Sequence, residues 1–170
     1  SRMARLFSSA APGVDLKPLL VELRERVVEE LDYRVEAAAQ RGFHAAFDGH
    51  PDLTVPDVIA ESEFVLVSQW VEGVPLSQII ATGTRSERER AALLLVRFLL
   101  SGPALAGMLH ADPHPGNFRL LADGRMAVLD FGAVNRLPEG LPPSIGRLLG
   151  VALHDNAPEL LEGLTAEGFV

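Results

Sequence analysis

The sequence contains no cysteine, and its 170 residues include a single lysine, Lys17. Without thiols there is no disulfide framework and no thiolate metal site, and the redox compartment stays undetermined. Basic residues are few altogether: 15 Lys and Arg stand against 23 Asp and Glu, a formal net charge of −8. That balance excludes sequence-independent binding to nucleic acid or to an anionic lipid surface, which needs clustered cations. The opening stretch "SRMARLFSSAAPG" lacks the sustained apolar core of a secretory signal, and there is no repeat or low-complexity tract. The one long apolar run, "AALLLVRFLLSGPALAGML" from Ala91 to Leu109, approaches bilayer length. Arg97 inside it costs about 2.5–3.5 kcal/mol at mid-bilayer, and Gly102-Pro103 is expected to interrupt a helix. The run reads as a buried core helix. The remaining balance, 48% hydrophobic and 22% charged, is that of a globular chain long enough to bury a core.

Residues 17–47 carry a helical pattern, with Leu19, Leu20, Leu23, Val27, Leu31, Val35 and Ala38 spaced by three and four. Pro18 suits a first turn, and "DGHPD" from Asp48 closes the segment. Two strand-like runs follow: "TVPDVIA", and "FVLVSQWV" from Phe64 to Val71, which has the composition of a buried strand. Gly73 and Pro75 break that run and introduce a short helix. Ser86 and Glu89 form a capping-box pattern before the long apolar helix. A hairpin is expected from "FRLL" and "MAVLD", turned at Asp123-Gly124. A proline-rich connection at 138–143 leads to helical spacing from about Ser144. These elements predict an α+β fold.

The chemistry concentrates in "HADPHPGNFRLLADGRMAVLDFG", His110 to Gly132. Asp112 and Asn117 lie five residues apart in a loop stiffened by Pro113 and Pro115, and Asp130 follows Asp112 by 130−112 = 18 residues. A hairpin between them folds Asp130 back beside Asn117. A carboxylate and an amide oxygen are hard ligands of the kind Mg²⁺ takes while it keeps waters and substrate phosphates. A neighbouring carboxylate that orients or deprotonates a nucleophile completes the parts of phosphoryl transfer. D-x-x-x-x-N followed by a strand and D-F-G is the kinase signature. Other readings stay open: His110-x-Asp112-x-His114 as a transition-metal site, or Asp112 and Asn117 as turn-forming groups only.

"EELDYRVEAAAQ" (Glu29 to Gln40), "HADPHPGN" and "LDFGAV" together resemble the UbiB/ADCK family of atypical kinases. "HxDxHPGN" alone is shared with aminoglycoside- and choline-type kinases, and the Glu-Leu-Asp-Tyr element separates the two. The resemblance implies a protein-kinase-like fold with an incomplete N-lobe over residues 1–72, a long helix and two strands up to the hinge. A mainly helical C-lobe follows over 73–170. It implies Asp112 as the catalytic-loop acid, with Asn117 and Asp130 as the metal ligands. Glu30 and Asp32 match the family's Glu-x-Asp motif, and Glu36 matches the helix glutamate that pairs with an ATP-binding lysine. His110, His114, Gly116, Phe131 and Gly132 complete the motifs. Backbone groups near Gln69 and Val71 are placed at the hinge, where adenine is held. The implied cofactors are ATP and Mg²⁺. The implied partners are a nucleotide and an isoprenoid lipid or lipid-biosynthesis proteins in ubiquinone metabolism. The implied setting is cytoplasmic, with at most peripheral contact with the inner membrane.

The match has gaps. No phosphate loop precedes the helix. If Lys17 and Glu36 share one helix, 19 steps at about 1.5 Å keep them roughly 28 Å apart, so Lys17 is not expected to be the ATP lysine. The chain, which opens on Ser1, thus reads as a truncated or degenerate kinase-like domain of low activity. Ala111 replaces the arginine on which a phosphorylated activation loop docks, and only about a dozen residues, with no A-P-E among them, separate Gly132 from the next helix. A small-molecule acceptor or water is therefore favoured over a peptide. The competing classes are a non-catalytic lipid- or partner-binding module and an antibiotic- or choline-type kinase.

Overall fold

The computed structural model describes residues 32–154 and 157–168. The first described helix, α1 (Tyr33–Ala46), begins where Asp32 is extended (φ −104°, ψ 96°) and its carboxylate accepts the Arg34 N–H at 3.0 Å. The same carboxylate pairs with the Arg34 guanidinium at 2.7 Å. This cap satisfies an orphan donor and complements the positive end of the helix dipole. The helix expected over 17–47 is thereby corrected, because Asp32 is extended and α1 starts only at Tyr33. The rise-per-residue argument separating Lys17 from Glu36 falls with it. Lys17 and Glu30 lie outside the described residues.

The inward face of α1 is also displaced from the apolar stripe of the sequence. Val35 is 56% exposed and Ala38 is exposed, whereas Ala37, Ala39, Gln40 and Phe43 are buried. Two polar residues, Glu36 and Gln40, occupy inward positions that a hydrophobic pattern cannot register. Phe43 anchors the core. Its ring lies 5.5 Å from Phe98 and 5.1 Å from Phe131, and Phe98 meets Phe118 edge-on at 6.0 Å.

A four-stranded sheet is ordered β1 (Leu53–Thr54), β7 (Met126–Val128), β6 (Phe118–Leu120) and β4 (Val74–Pro75). The β6–β7 hairpin has the expected position, with Phe118 opposite Val128. Its turn uses Gly124 at φ 84°, a left-handed conformation that glycine adopts freely. The second pair, β2 (Val58–Glu61) and β3 (Leu66–Ser68), is an antiparallel ribbon. The buried strand expected at Phe64–Val71 is corrected here. Only three of its residues are strand, and Phe64 and Trp70 are 74% and 79% exposed, because no described element covers that side of the ribbon.

Helix α2 (Leu76–Thr82) follows β4, and α3 (Arg85–Ala106) starts two residues earlier than expected. Its capping box is Thr84 with Glu87, not Ser86 with Glu89. Helix α3 runs through Pro103 instead of stopping there, and ends at Gly107 (φ 64°). Gly102 is what lets α3 lie so close: a Cβ there would stand 2.9 Å from the Met108 carbonyl oxygen and 3.2 Å from the Phe43 ring. Only one face of α3 is core, through Ala91, Leu94 and Phe98, while Leu93, Val96 and Leu100 are exposed. Arg97 stays in water and pairs with Asp52, as does Arg90, tying α3 to the loop before β1. Among the described residues no helix is long and apolar enough to cross a membrane. Strand β5 (Met108–His110) pairs antiparallel with β8 (Val134–Arg136), and α4 (Pro143–Leu153) and α5 (Ala157–Ala166) form a terminal helical pair.

Candidate functional site

Strand β5 delivers the motif. His110 lies opposite Val134, and the Ala111 amide continues the ladder to the Ala133 carbonyl at 2.9 Å. The chain then leaves the sheet. Asp112 Oδ1 accepts the His114 N–H at 3.3 Å, and His114 Nδ1 accepts the Gly116 N–H at 3.1 Å, capping a 3₁₀ turn over Pro115–Asn117. Asn117 Nδ2 reaches back to the Asp112 carboxylate at 3.0 Å and to its carbonyl at 3.2 Å. Asp112 and Asn117 are therefore in direct contact.

The hairpin brings the third group. The Leu129 amide donates to the Asn117 carbonyl at 2.9 Å, so Asp130 stands one residue beyond the position opposite Asn117. Asp130 Oδ1 accepts the Gly132 N–H at 3.0 Å, and its carbonyl accepts from His110 Nε2 at 2.7 Å. Glu36 arrives from α1 and accepts the Phe131 N–H at 3.3 Å. A methyl placed on Gly132 would lie 3.4 Å from Asp130 Oδ1 and 3.7 Å from Glu36 Oε2, so both carboxylates border the same glycine. Burial pushes the Glu36 carboxyl above its ordinary range, the Phe131 amide draws it back, and the charge of Asp130 raises it further.

His110 is 3% exposed and packed against the rings of Phe98, Phe118 and Phe131. Burial holds its imidazole below the ordinary value. The neutral ring therefore donates from Nε2, and Nδ1 is buried without a partner. That accounts for both histidines of the His110-x-Asp112-x-His114 run: one fixes the Asp130 backbone and the other caps a turn. Among the described residues no three His, Asp or Glu side chains converge as a metal cluster, so the transition-metal reading is set aside.

The acids themselves are open to ligand. Asp112 and Asp130 are exposed, and no described Lys or Arg side chain pairs with Asp112, Asp130 or Glu36. Asn117 Oδ1 and Asp130 Oδ2 accept no hydrogen bond from described residues. Among the described residues no cation offsets these acids, and Asn117 and Asp130 each keep a free hard oxygen of the kind Mg²⁺ takes.

Beside it lies a cavity of about 420 Å³ lined by Tyr33, Phe64, Val65, Leu66, Ser68 and Leu129. Gln69 and Val71 do not line it, and the Gln69 amide is already donated to the Asp57 carbonyl at 2.8 Å. No local motif marks Gln40, whose buried side chain bonds Ser68 in the cavity wall at 3.0 Å. The one available signal was its spacing, four residues beyond Glu36.

The chain matches the ABC1 atypical kinase-like domain over residues 1–163. It is 34% identical over 134 residues to the Arabidopsis thaliana protein ACTIVITY OF BC1 COMPLEX KINASE 3, covering 74% of this chain and 18% of that protein. With ACTIVITY OF BC1 COMPLEX KINASE 1 of the same plant it shares 30% identity over 173 residues, covering 96% of this chain and 24% of the other. Both relatives are described as chloroplastic. Among solved structures, Rv3197 of Mycobacterium tuberculosis, in complex with erythromycin, superposes with a TM-score of 0.82 at 42% identity, covering 96% of this chain and 42% of that one. The chain thus spans under half the length of each of these relatives. The fold is α+β and kinase-like, and the chain belongs to the ABC1 atypical kinase-like family, that of the UbiB and aarF-domain kinases.

Proposed function

We propose that this chain binds Mg·ATP at the Asp112–Asn117–Asp130 site and supports ATP hydrolysis or phosphoryl transfer to a small molecule. The observation that carries the proposal is the pair of unengaged oxygens on Asn117 and Asp130, one residue out of register across the β6–β7 hairpin, beside the Asp112 carboxylate. Asn117 and Asp130 would hold the metal, which when bound neutralises charge on the phosphate oxygens. Asp112, oriented by the Asn117 amide, accepts the proton of an attacking hydroxyl or water. His110 fixes the peptide that carries Asp130. The cavity ending at Leu129 receives the base. Among the described residues Glu36 is held by the Phe131 amide and no cation pairs with it, which supports slow turnover by this chain. Ala111 and the short connection from Gly132 to α4 favour a small acceptor over a peptide. The UbiB/ADCK resemblance supports a place in ubiquinone or isoprenoid-lipid metabolism.

A second reading, a binding module without turnover, is favoured by one observation. Rv3197, at 42% identity, was solved with erythromycin, a large ligand that is not a nucleotide, and the cavity here is lined mainly by aliphatic and aromatic residues. Incubation with Mg·ATP and measurement of phosphate release separates the two. Slow, Mg²⁺-dependent release abolished by Asp130→Ala supports the first reading. No nucleotide binding, and no response to Asp130→Ala, supports the second.

A further inference from the structure

Gln40 is a polar side chain with no solvent exposure, in a position where an aliphatic residue would join the core. A buried amide costs free energy unless its hydrogens are paired. Here both are: Nε2 donates to the Pro56 carbonyl at 2.8 Å and to Ser68 Oγ at 3.0 Å. One turn further along α1, His44 Nδ1 lies 2.7 Å from the Val55 carbonyl oxygen. One turn earlier, Glu36 accepts the Phe131 amide. Residues 36, 40 and 44 are spaced by four and share a helix face. Two successive turns of α1 are therefore fastened to the successive carbonyls of Val55 and Pro56, and the third turn faces the segment that carries Asp130.

Apolar contacts alone fix the depth of a helix better than its rotation, because dispersion and burial are not directional. Hydrogen bonds are. The Glu36–Phe131 bond, at 3.3 Å, is at the long end of the N–H···O range, so a small rotation of α1 breaks it. We infer that Gln40 is a positioning residue, whose bonds to Pro56 and Ser68 hold α1 in the rotation that keeps Glu36 on the Phe131 amide. Ser68 also lines the cavity, so the same contact joins the cavity wall to the acidic site. The consequence for nucleotide affinity rests on the function proposed above. The clamp itself does not.

Amide exchange at Phe131 and Mg·ATP affinity, measured on the same samples of the 170-residue chain, test this. Gln40→Leu should speed Phe131 exchange and weaken Mg·ATP about fivefold or more, the lower end of typical coupling between sites. Phe47→Leu, which loosens the core near the far end of α1 without touching the clamp, should lower the melting temperature while leaving Phe131 exchange unchanged relative to global unfolding. Should Gln40→Leu fail to fold, Ser68→Ala is expected to speed Phe131 exchange, and Ser68→Thr to restore its protection. Wild-type protection of Phe131 in both Gln40→Leu and Ser68→Ala overturns the inference. A wild-type chain with no Mg·ATP affinity sinks the nucleotide reading instead, and the exchange data still decide the clamp.

Discussion

Replacing Phe131 by alanine removes the ring that seats the Asp130-Phe131-Gly132 segment in the core. The side chain is 1% exposed and makes two ring contacts, at 5.1 Å to Phe43 and 5.7 Å to His110. Truncating a buried phenylalanine costs about 3–5 kcal/mol, counting transfer and residual cavity. For a domain of this size, each kcal/mol lowers the melting temperature by roughly 2–4 °C, so a fall of about 6–20 °C is expected. Phe131→Leu keeps most of the volume but forfeits two ring pairs worth about 0.5–1.5 kcal/mol each, and should fall between. Urea unfolding followed by far-UV circular dichroism gives the free energies directly. If Phe131→Ala melts within about 2 °C of wild type, the ring is not anchoring this segment, and the argument that the core positions Asp130 is wrong.

Three further expectations can be checked together. Glu36 has a raised carboxyl, so its stabilising contribution is present below the ordinary glutamate range and is lost as pH rises through the folded-state value; Glu36→Gln should therefore melt higher than wild type at pH 7, with the difference shrinking toward zero as pH drops to 4. Asp52 shows the opposite sign. Its carboxyl is lowered, first by the Arg90 hydrogen bond, so Asp52→Asn should destabilise at pH 7, and the deficit should vanish in acid and shrink with added salt. Thr84→Ala removes the N-cap of α3 and should cost about 1 kcal/mol in urea unfolding, whereas Ser86→Ala, inside the helix, should be near neutral.

What was legible in the sequence follows from how local each signal is. The β6–β7 hairpin and the Asp112–Asn117 loop are written in short-range chemistry, Asp-Gly at a turn and prolines in a loop, and both stand where expected. The face of α1 was misjudged because its inward residues include Glu36 and Gln40, whose partners at Phe131, Pro56 and Ser68 are distant in sequence. Thr84-x-x-Glu87 and Ser86-x-x-Glu89 are equally good capping boxes on paper. The end of α2, where the Gly83 amide returns to the Ile79 carbonyl, leaves Thr84 extended and decides between them. Pro103 was expected to break α3, but it sits in the buried face beside Gly102, where packing offsets a lost backbone bond. The run at Phe64–Val71 has a buried composition yet lies open, since burial depends on what covers a strand as well as on the strand.

Titration calorimetry of ATP into this chain, with and without Mg²⁺, tests the central claim most directly. The geometry predicts binding that requires Mg²⁺ and is lost in both Asn117→Ala and Asp130→Ala, while Thr84→Ala binds as wild type does. Equal ATP affinity in the presence and absence of Mg²⁺, or full affinity in Asp130→Ala, would contradict it.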